Sequence, residues 1–307
     1  SVNVAGKQNM TITLSDDVKA LDEVVVVGYG TVKKADLAGS VSVLDNKAFK
    51  DQPITRVDDA LQGRIAGVHV VNSGIPGGEM KIRIRGAGSI NRSNDPLYVV
   101  DGIVRESGLT GLDPEDIQSI QVLKDASATA IYGSRGSNGV VLVTTKSGKA
   151  NMKQVSFDAQ FGFSNIAKRY PLLNAYEFAT AYNEAHPGTF GQADLTAFQN
   201  GEKGTDWQRA ISQTGFTQNY KVTLTNGNRD TQYYLSGNYL SQTGTVLSTK
   251  NERYQAKLNL TSNITPWLTI TADVNASHNV RNMVNFSAAK TNILWLALNY
   301  SPVTNVM

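Results

Sequence analysis

The fold class this sequence predicts is part of a transmembrane antiparallel β-barrel behind a compact α/β domain. Three observations predict it. From Val155 onward, segments of about ten residues alternate apolar and polar side chains. The connections between those segments are alternately short and long. Ahead of them, residues 31 to about 148 mix short strands with short helices, joined by glycine-rich links. A soluble antiparallel sandwich with one wet face alternates in the same way, so pattern alone leaves it open.

Composition narrows the field. A chain of 307 residues has room for two domains. A formal charge of +3, with no Lys/Arg run, gives no support for nucleic-acid binding. The absence of cysteine removes disulfides and thiolate metal sites and says nothing about compartment. No stretch approaches the ~18 apolar residues of a membrane helix. Ser1-Val2-Asn3-Val4 lacks the basic start and apolar core of a signal peptide, so the chain reads as mature or trimmed.

Residues 1–20 alternate at Met10, Ile12 and Leu14 and then turn polar, which reads as the last strand of a β-domain. Residues 21–34 follow. Here Asp22 and Glu23 precede the valine run Val24-Val25-Val26-Val27, and Gly28 and Gly30 come after. Four β-branched residues fit a strand, and acids followed by valines suit capture as an added strand on another protein's sheet. A buried strand of an ordinary domain is the competing reading. The link from Gly28 to Lys34 suits a hinge.

In the α/β zone, 35–148, Thr55 to Ala66 reads as a helix with Val57, Leu61 and Ile65 on one face. Strands are expected at Val68–Val71, Met80–Arg85, Leu97–Val100, Ile120–Leu123 and Val140–Thr145, with a helical turn around Ala126 to Ile131. In the barrel zone, 149–307, strands are expected around Val155–Phe163, Tyr220–Thr225, Thr231–Gln242, Tyr254–Leu260 and Leu268–Ala276, and Ile293–Tyr300 is a possible sixth. Ten residues rise roughly 34 Å, which at ~45° tilt spans the ~25 Å apolar band of an outer-membrane barrel. Residues 226–230 and 263–266 read as tight turns, and Trp267 and Tyr254 as interfacial aromatics.

Catalytic signatures are missing. His69, His186 and His278 are far apart in sequence and in no metal-binding spacing. Gly86-Ala87-Gly88-Ser89-Ile90-Asn91 has Asn where a dinucleotide fingerprint needs its third glycine. An enzyme, a cofactor and a metal are therefore not expected.

Five longer motifs carry a resemblance. They are the Leu21–Gly30 stretch, Gly63–Val68 (GRIAGV), Ile82–Gly86 (IRIRG), Pro96–Gly102 (PLYVVDG) and Val122–Lys146 (VLKDASATAIYGSRGSNGVVLVTTK). Together they resemble SusC-like TonB-dependent outer-membrane transporters, over essentially the whole chain. The resemblance implies the end of a carboxypeptidase-like regulatory domain at 1–20, a TonB box and hinge at 21–34, a plug at 35–148 and the first strands of a 22-stranded barrel at 149–307. Five strands cannot close such a barrel, so the chain is expected to be the N-terminal part of one.

The implied activity is import of oligosaccharides or peptides across the bacterial outer membrane, with the N-terminus in the periplasm. The implied partners are the TonB periplasmic domain, bound at Asp22 to Val27, a SusD-like surface lipoprotein, and outer-membrane lipid. In such a plug, Arg83, Arg85 and Arg135 are expected to pair with acids of the barrel wall. Ser89, Asn91, Arg92, Asn94 and Asp95, with the loop at 74–79, are expected to face cargo. A receptor that signals the presence of cargo and a non-transporting surface-binding barrel remain alternatives.

Overall fold

The computed structural model describes residues 24–27, 30–33, 41–48, 52, 54–78, 80–86, 93–284, 286 and 291–305. The strand expected within 1–20 lies outside the described residues, as do Asp22, Glu23, Ser89, Asn91 and Arg92.

The valine run forms β1 (Val24–Val27), paired antiparallel with β2 (Gly30–Lys33). Part of the expected hinge therefore folds back as a strand, in keeping with the β-branched pair Thr31 and Val32.

Seven strands build the α/β domain. They are β3 (Val41–Asp45), β4 (Val68–Asn72), β5 (Met80–Ile84), β6 (Leu97–Val100), β7 (Ile103–Arg105), β8 (Ile117–Leu123) and β9 (Val140–Thr145). Five of them form a mixed sheet in the order β3-β8-β9-β6-β7, in which only β6 and β9 run parallel. The strands β4 and β5 form a separate hairpin. A short helix α1 (Ala126–Thr129) leads into a 3-10 stretch at Ala130–Gly136.

Both faces of the sheet are covered. Val57, Leu61 and Ile65 pack with Ile82, Ile84, Ile120, Val122 and Val141 on one side. Ala128 and Tyr132 join Val99, Leu123, Val140 and Leu142 on the other. That is why β8 and β9 read as nearly unbroken apolar runs. The helix expected at 55–66 shrinks to a 3-10 turn at Asp58–Leu61. Its apolar face is nonetheless buried as expected. Gly63 and Gly67, at φ +70° and +76°, take the chain out of helical geometry.

Five long strands follow as a meander. They are β10 (Met152–Ser164), β11 (Gly215–Gly227), β12 (Thr231–Thr243), β13 (Lys250–Thr265) and β14 (Leu268–Asn282). Each extends beyond its expected bounds, β12 by a single residue. The residues linking β10 to β11 carry α2 (Ala175–Ala185), α3 (Gln192–Gln199) and α4 (Trp207–Ala210). The possible sixth strand is instead the helix α5 (Ile293–Asn299). Asn292 caps it through Oδ1, which accepts from Leu294 N and Trp295 N at 2.9 and 3.2 Å, and a run of good helix formers follows. Trp207 of α4 donates its Nε1 to Ser301 O at 3.0 Å, so the connection between β10 and β11 packs with the segment that follows β14.

The burial pattern of this sheet is inverted relative to a soluble protein. Phe157 and Phe163 are 67 % and 76 % exposed, and Val155, Leu235, Leu258, Ile270 and Val274 share that outward face. Lys221, Ser236, Asn238, Arg253, Gln255 and Lys257 point the other way and are buried. On the outward face Tyr220, Tyr239, Tyr254 and His278 form a row across β11 to β14, with ring centroids 4.9–6.4 Å apart. Phe161 joins it from β10. The row lies toward the long-loop end, and Trp267, 82 % exposed, sits at the short-turn end. An apolar band between two aromatic levels is the surface of a membrane barrel.

This orientation predicts an asymmetry. Val274→Arg, on the outward face near mid-strand, should cost about 2–4 kcal/mol in the assembled barrel. Asn275→Arg, one residue on and facing inward, should cost much less. Urea unfolding in lipid vesicles would check both.

Candidate functional site

The inward face of the long sheet meets the α/β domain along a polar seam, and one turn makes most of its contacts. Asp113 precedes a 3-10 turn at Pro114–Asp116, and its Oδ1 caps that turn by accepting from Glu115 N at 2.9 Å. Its Oδ2 accepts from Lys221 Nζ of β11 at 3.0 Å. Asp116 takes the same ammonium at 2.6 Å. It also accepts from Tyr234 Oη at 2.7 Å and Ser236 Oγ at 2.9 Å, both on β12. Glu115 accepts from Gln160 Nε2 of β10 at 3.1 Å. Burial holds the Glu115 carboxyl above its ordinary range, against the downward pull of Lys221.

Lys221 is only 2 % exposed, so its charge depends on these carboxylates. One four-residue turn thus engages three successive strands.

Two smaller contacts flank it. At the turn between β6 and β7, Asp101 accepts from Thr145 N and Oγ1 at 2.9 and 2.7 Å. Its Oδ2 lies 3.9 Å from Lys257 Nζ of β13, which also pairs with Asp273 at 3.1 Å. Toward the long-loop end, Arg281 of β14 donates to Gly77 O at 2.8 Å. Side chains at Gly77 and Gly111 would collide with the sheet: a Cβ at Gly77 would fall on Asn251, and one at Gly111 would lie 2.6 Å from Ser277 Oγ.

A domain seated by ion pairs on the polar face of an inside-out sheet is the geometry of a plugged membrane barrel, and comparison with known proteins agrees. Residues 33–140 match the TonB-dependent Receptor Plug Domain family. The chain is 40 % identical over 289 residues to TonB-dependent receptor P3 of Formosa agariphila, covering 94 % of this chain and 28 % of that protein. It is 42 % identical over 261 residues to TonB-dependent receptor SusC of Bacteroides thetaiotaomicron, covering 82 % of this chain and 25 % of that one. The chain belongs to the SusC-like TonB-dependent receptors. The RagAB peptide importer in its closed-closed state superposes with a TM-score of 0.75 at 28 % identity, over 88 % of this chain and 34 % of that one. The chain therefore spans about a quarter to a third of the length of the relatives it matches.

In this SusC-like receptor two of the three arginines expected to meet the wall pair within the plug among the described residues. Arg85 pairs with Asp125, and Arg135 with Glu106 at 3.4 Å, both acids of the plug itself. Arg83 is exposed on β5, opposite His69 of β4. Among the described residues, the ion pairs that cross the seam join acids of the plug to lysines of the wall. Arg85, at φ +59° just past β5, reaches the acid that precedes α1.

Of the expected cargo-facing residues, Asn94 and Asp95 are described. Asp95 N donates to Ser93 Oγ at 3.1 Å, and Asn138 Nδ2 donates to Ser93 O at 3.1 Å, so this segment is tied to the plug. The loop at 74–78 lies against the long-loop end of the wall, where a Cβ at Gly244 would be 2.9 Å from Pro76 Cγ.

Sequence reasoning missed Asp113, Asp116, Lys221, Tyr234 and Ser236. The available signals were an Asp-Pro-Glu-Asp turn directly before an apolar strand and a lysine at a wall position.

Removing the shared cation should expose its importance. Lys221→Met removes the ammonium that Asp113 and Asp116 share and should cost about 3–5 kcal/mol of plug seating. Limited proteolysis of the assembled protein would register it as faster cleavage within the plug, with the wall still protected.

Proposed function

We propose that this chain forms the plug and first wall strands of a transporter that imports oligosaccharides or peptides across the bacterial outer membrane. The observation that carries the proposal is the seam: a folded domain occupies the polar face of a membrane sheet and is held there by breakable polar contacts. Opening requires moving that domain, and an outer membrane has no ATP to drive the motion. In this reading the periplasmic domain of TonB supplies the force by pairing with the segment from Asp22 to Val27. Support comes from β1, whose backbone is extended and whose outer edge is unpaired among the described residues. The N-terminus then lies on the periplasmic side.

A SusD-like lipoprotein over the outer mouth follows from the likeness to SusC, and peptide as a cargo class gains weight from the RagAB peptide importer. The plug loop at 74–78 is the part best placed to meet cargo, and Ser89, Asn91, Arg92, Asn94 and Asp95 are proposed to extend that surface. A role for Arg83, Arg85 and Arg135 in seating the plug is kept only as an indirect one, through the fold of the plug itself.

Deleting Asp22 to Val27 should abolish uptake while the protein still assembles in the outer membrane. Uptake of a labelled glycan or peptide, with surface protein quantified in parallel, checks this. Normal uptake by the deletion variant would sink the proposal.

A further inference from the structure

The contacts that hold the plug are gathered on one side of it. Its chain runs straight into the wall at β10 through residues 146–151. Lys146 N donates to Asp116 O at 2.7 Å, and Asn151 N donates to Gly227 O of β11 at 3.0 Å. Between them Gly148 lies against the Gln232–Tyr233 backbone of β12, where a Cβ would fall 2.3 Å from Tyr233 N. The Asp113–Asp116 turn adds side-chain hydrogen bonds to β10, β11 and β12 at 2.7–3.1 Å. Covalent tether and polar latch therefore coincide.

The strands β13 and β14 hold the plug far less. Among the described residues one hydrogen bond crosses there, from Arg281 to Gly77 O at 2.8 Å. Lys257 stands 3.9 Å from Asp101 and is closer to Asp273 of its own wall, at 3.1 Å. Arg253 adds the longer-range field of Asp113 and Asp116. On the inward face of β13, Asn251 Oδ1, Asn259 Oδ1 and both polar ends of Gln255 are buried without a partner among the described residues. A cavity lined by Gly77 and Gly111 of the plug and by Asn251 and Asn279 of the wall interrupts the packing on this side. Parting the plug from β10–β12 would strip a buried ammonium of its carboxylates. Parting it from β13–β14 breaks little and lets water reach amides that have nothing to lose.

We infer that the plug swings open on one side: it pivots on residues 146–151 and the Asp113–Asp116 turn, and the passage opens along β13 and β14. That passage is walled by Asn251, Gln255 and Asn259 of β13 and by Asn275 and Asn279 opposite them on β14. Lys257 and Asp273 neutralise each other among them. Carboxamides both donate and accept, so this wall suits neutral cargo groups that do the same. The inference deepens the transport reading and rests on it for the barrel being a passage.

The test uses the full-length protein, with no thiols but those introduced, in planar lipid bilayers. It reads potassium chloride conductance as urea loosens the plug. This chain brings no cysteine of its own. A Cβ at Gly111 would lie 3.4 Å from Ser277 Cβ, close to the separation a disulfide needs. Gly111→Cys with Ser277→Cys therefore bolts the plug to β14; Gly77→Cys with Asn251→Cys bolts it to β13 if the first pair fails to assemble. Glu115→Cys with Gln160→Cys, bridged by a reducible bis-thiol reagent, ties it to β10. Each linked protein is compared with its own reduced form. The β13 or β14 bolt should abolish channel openings until reductant is added, and the β10 tie should leave them as frequent as in its reduced form. Openings that persist through the bolt, a β10 tie that also closes the channel, or reduced proteins that never open overturn the inference. Ions report opening without cargo or TonB, so normal uptake after deletion of Asp22 to Val27 would sink the TonB mechanism and leave this result standing.

Discussion

Hydrocarbon offers a backbone no water, so every strand that crosses a membrane must satisfy its amides and carbonyls on neighbouring strands. The five long strands do this in long registers, with one shift between Asn263 and Thr265 of β13; β10 and β11 pair over the full 13 residues of each. Period-two side chains then divide by chemistry. With Phe157, Leu258 and Val274 turned outward, Lys221, Gln255 and Lys257 have nowhere to point but inward. Whatever fills the barrel has to meet that polar face with polar groups of its own. The plug's contact surface is built accordingly: its core packs between its own sheet and hairpin, and Asp113, Glu115 and Asp116 stand at the seam.

A buried ion pair adds little net stability compared with well-packed apolar residues, because desolvation offsets most of the Coulomb attraction. Its consequence here is positional. Lys221 is tolerable only where two carboxylates meet it, and Tyr234 and Ser236 narrow the choice to one orientation of the Asp113–Asp116 turn. The opposite side of the seam is built more loosely. Side-chain atoms of Asn251, Gln255 and Asn259 on β13 are buried without partners among the described residues, and Gly77 and Gly111 approach the wall closely there. The plug is therefore registered by β11 and β12 and merely fitted against β13 and β14.

Much of this was legible in the sequence, for a physical reason. Strand periodicity is local, so all five wall strands and five plug strands appear where alternation or an apolar run marks them. The strand β7, with three residues, is too short to show a period. The region from Thr55 to Ala66 has helical spacing, and the burial of Val57, Leu61 and Ile65 follows it; but the path there is set by left-handed glycines, which spacing does not reveal. The seam was not legible. Lys221 and Asp113 are 108 residues apart, and a single lysine in an alternating strand looks the same in sequence whether it faces water or a carboxylate. The arginines of IRIRG drew attention because two cations in one strand are conspicuous, yet the nearest acid to Arg85 lies in its own domain.

The hairpin of β1 and β2 can be argued from the same energetics. An isolated two-stranded ribbon is marginal in water at best, and this one has only four pairs, from Val24 opposite Lys33 to Val27 opposite Gly30. Its sheet contains no third strand among the described residues. A partner strand therefore has two routes: it can add to the free edge of β1, or it can displace β2 and gain a similar number of hydrogen bonds for those it breaks. Addition preserves the hairpin, and a pull on β1 would then load the β1–β2 ladder before reaching the plug. Displacement removes the ladder and leaves the chain as a straight tether. Four backbone pairs can be exchanged at little cost, whereas Lys221 cannot be parted from Asp113 and Asp116 without leaving buried charge. On the proposed mechanism the hairpin would yield before the seam under either route, and the seam would set the threshold for moving the plug.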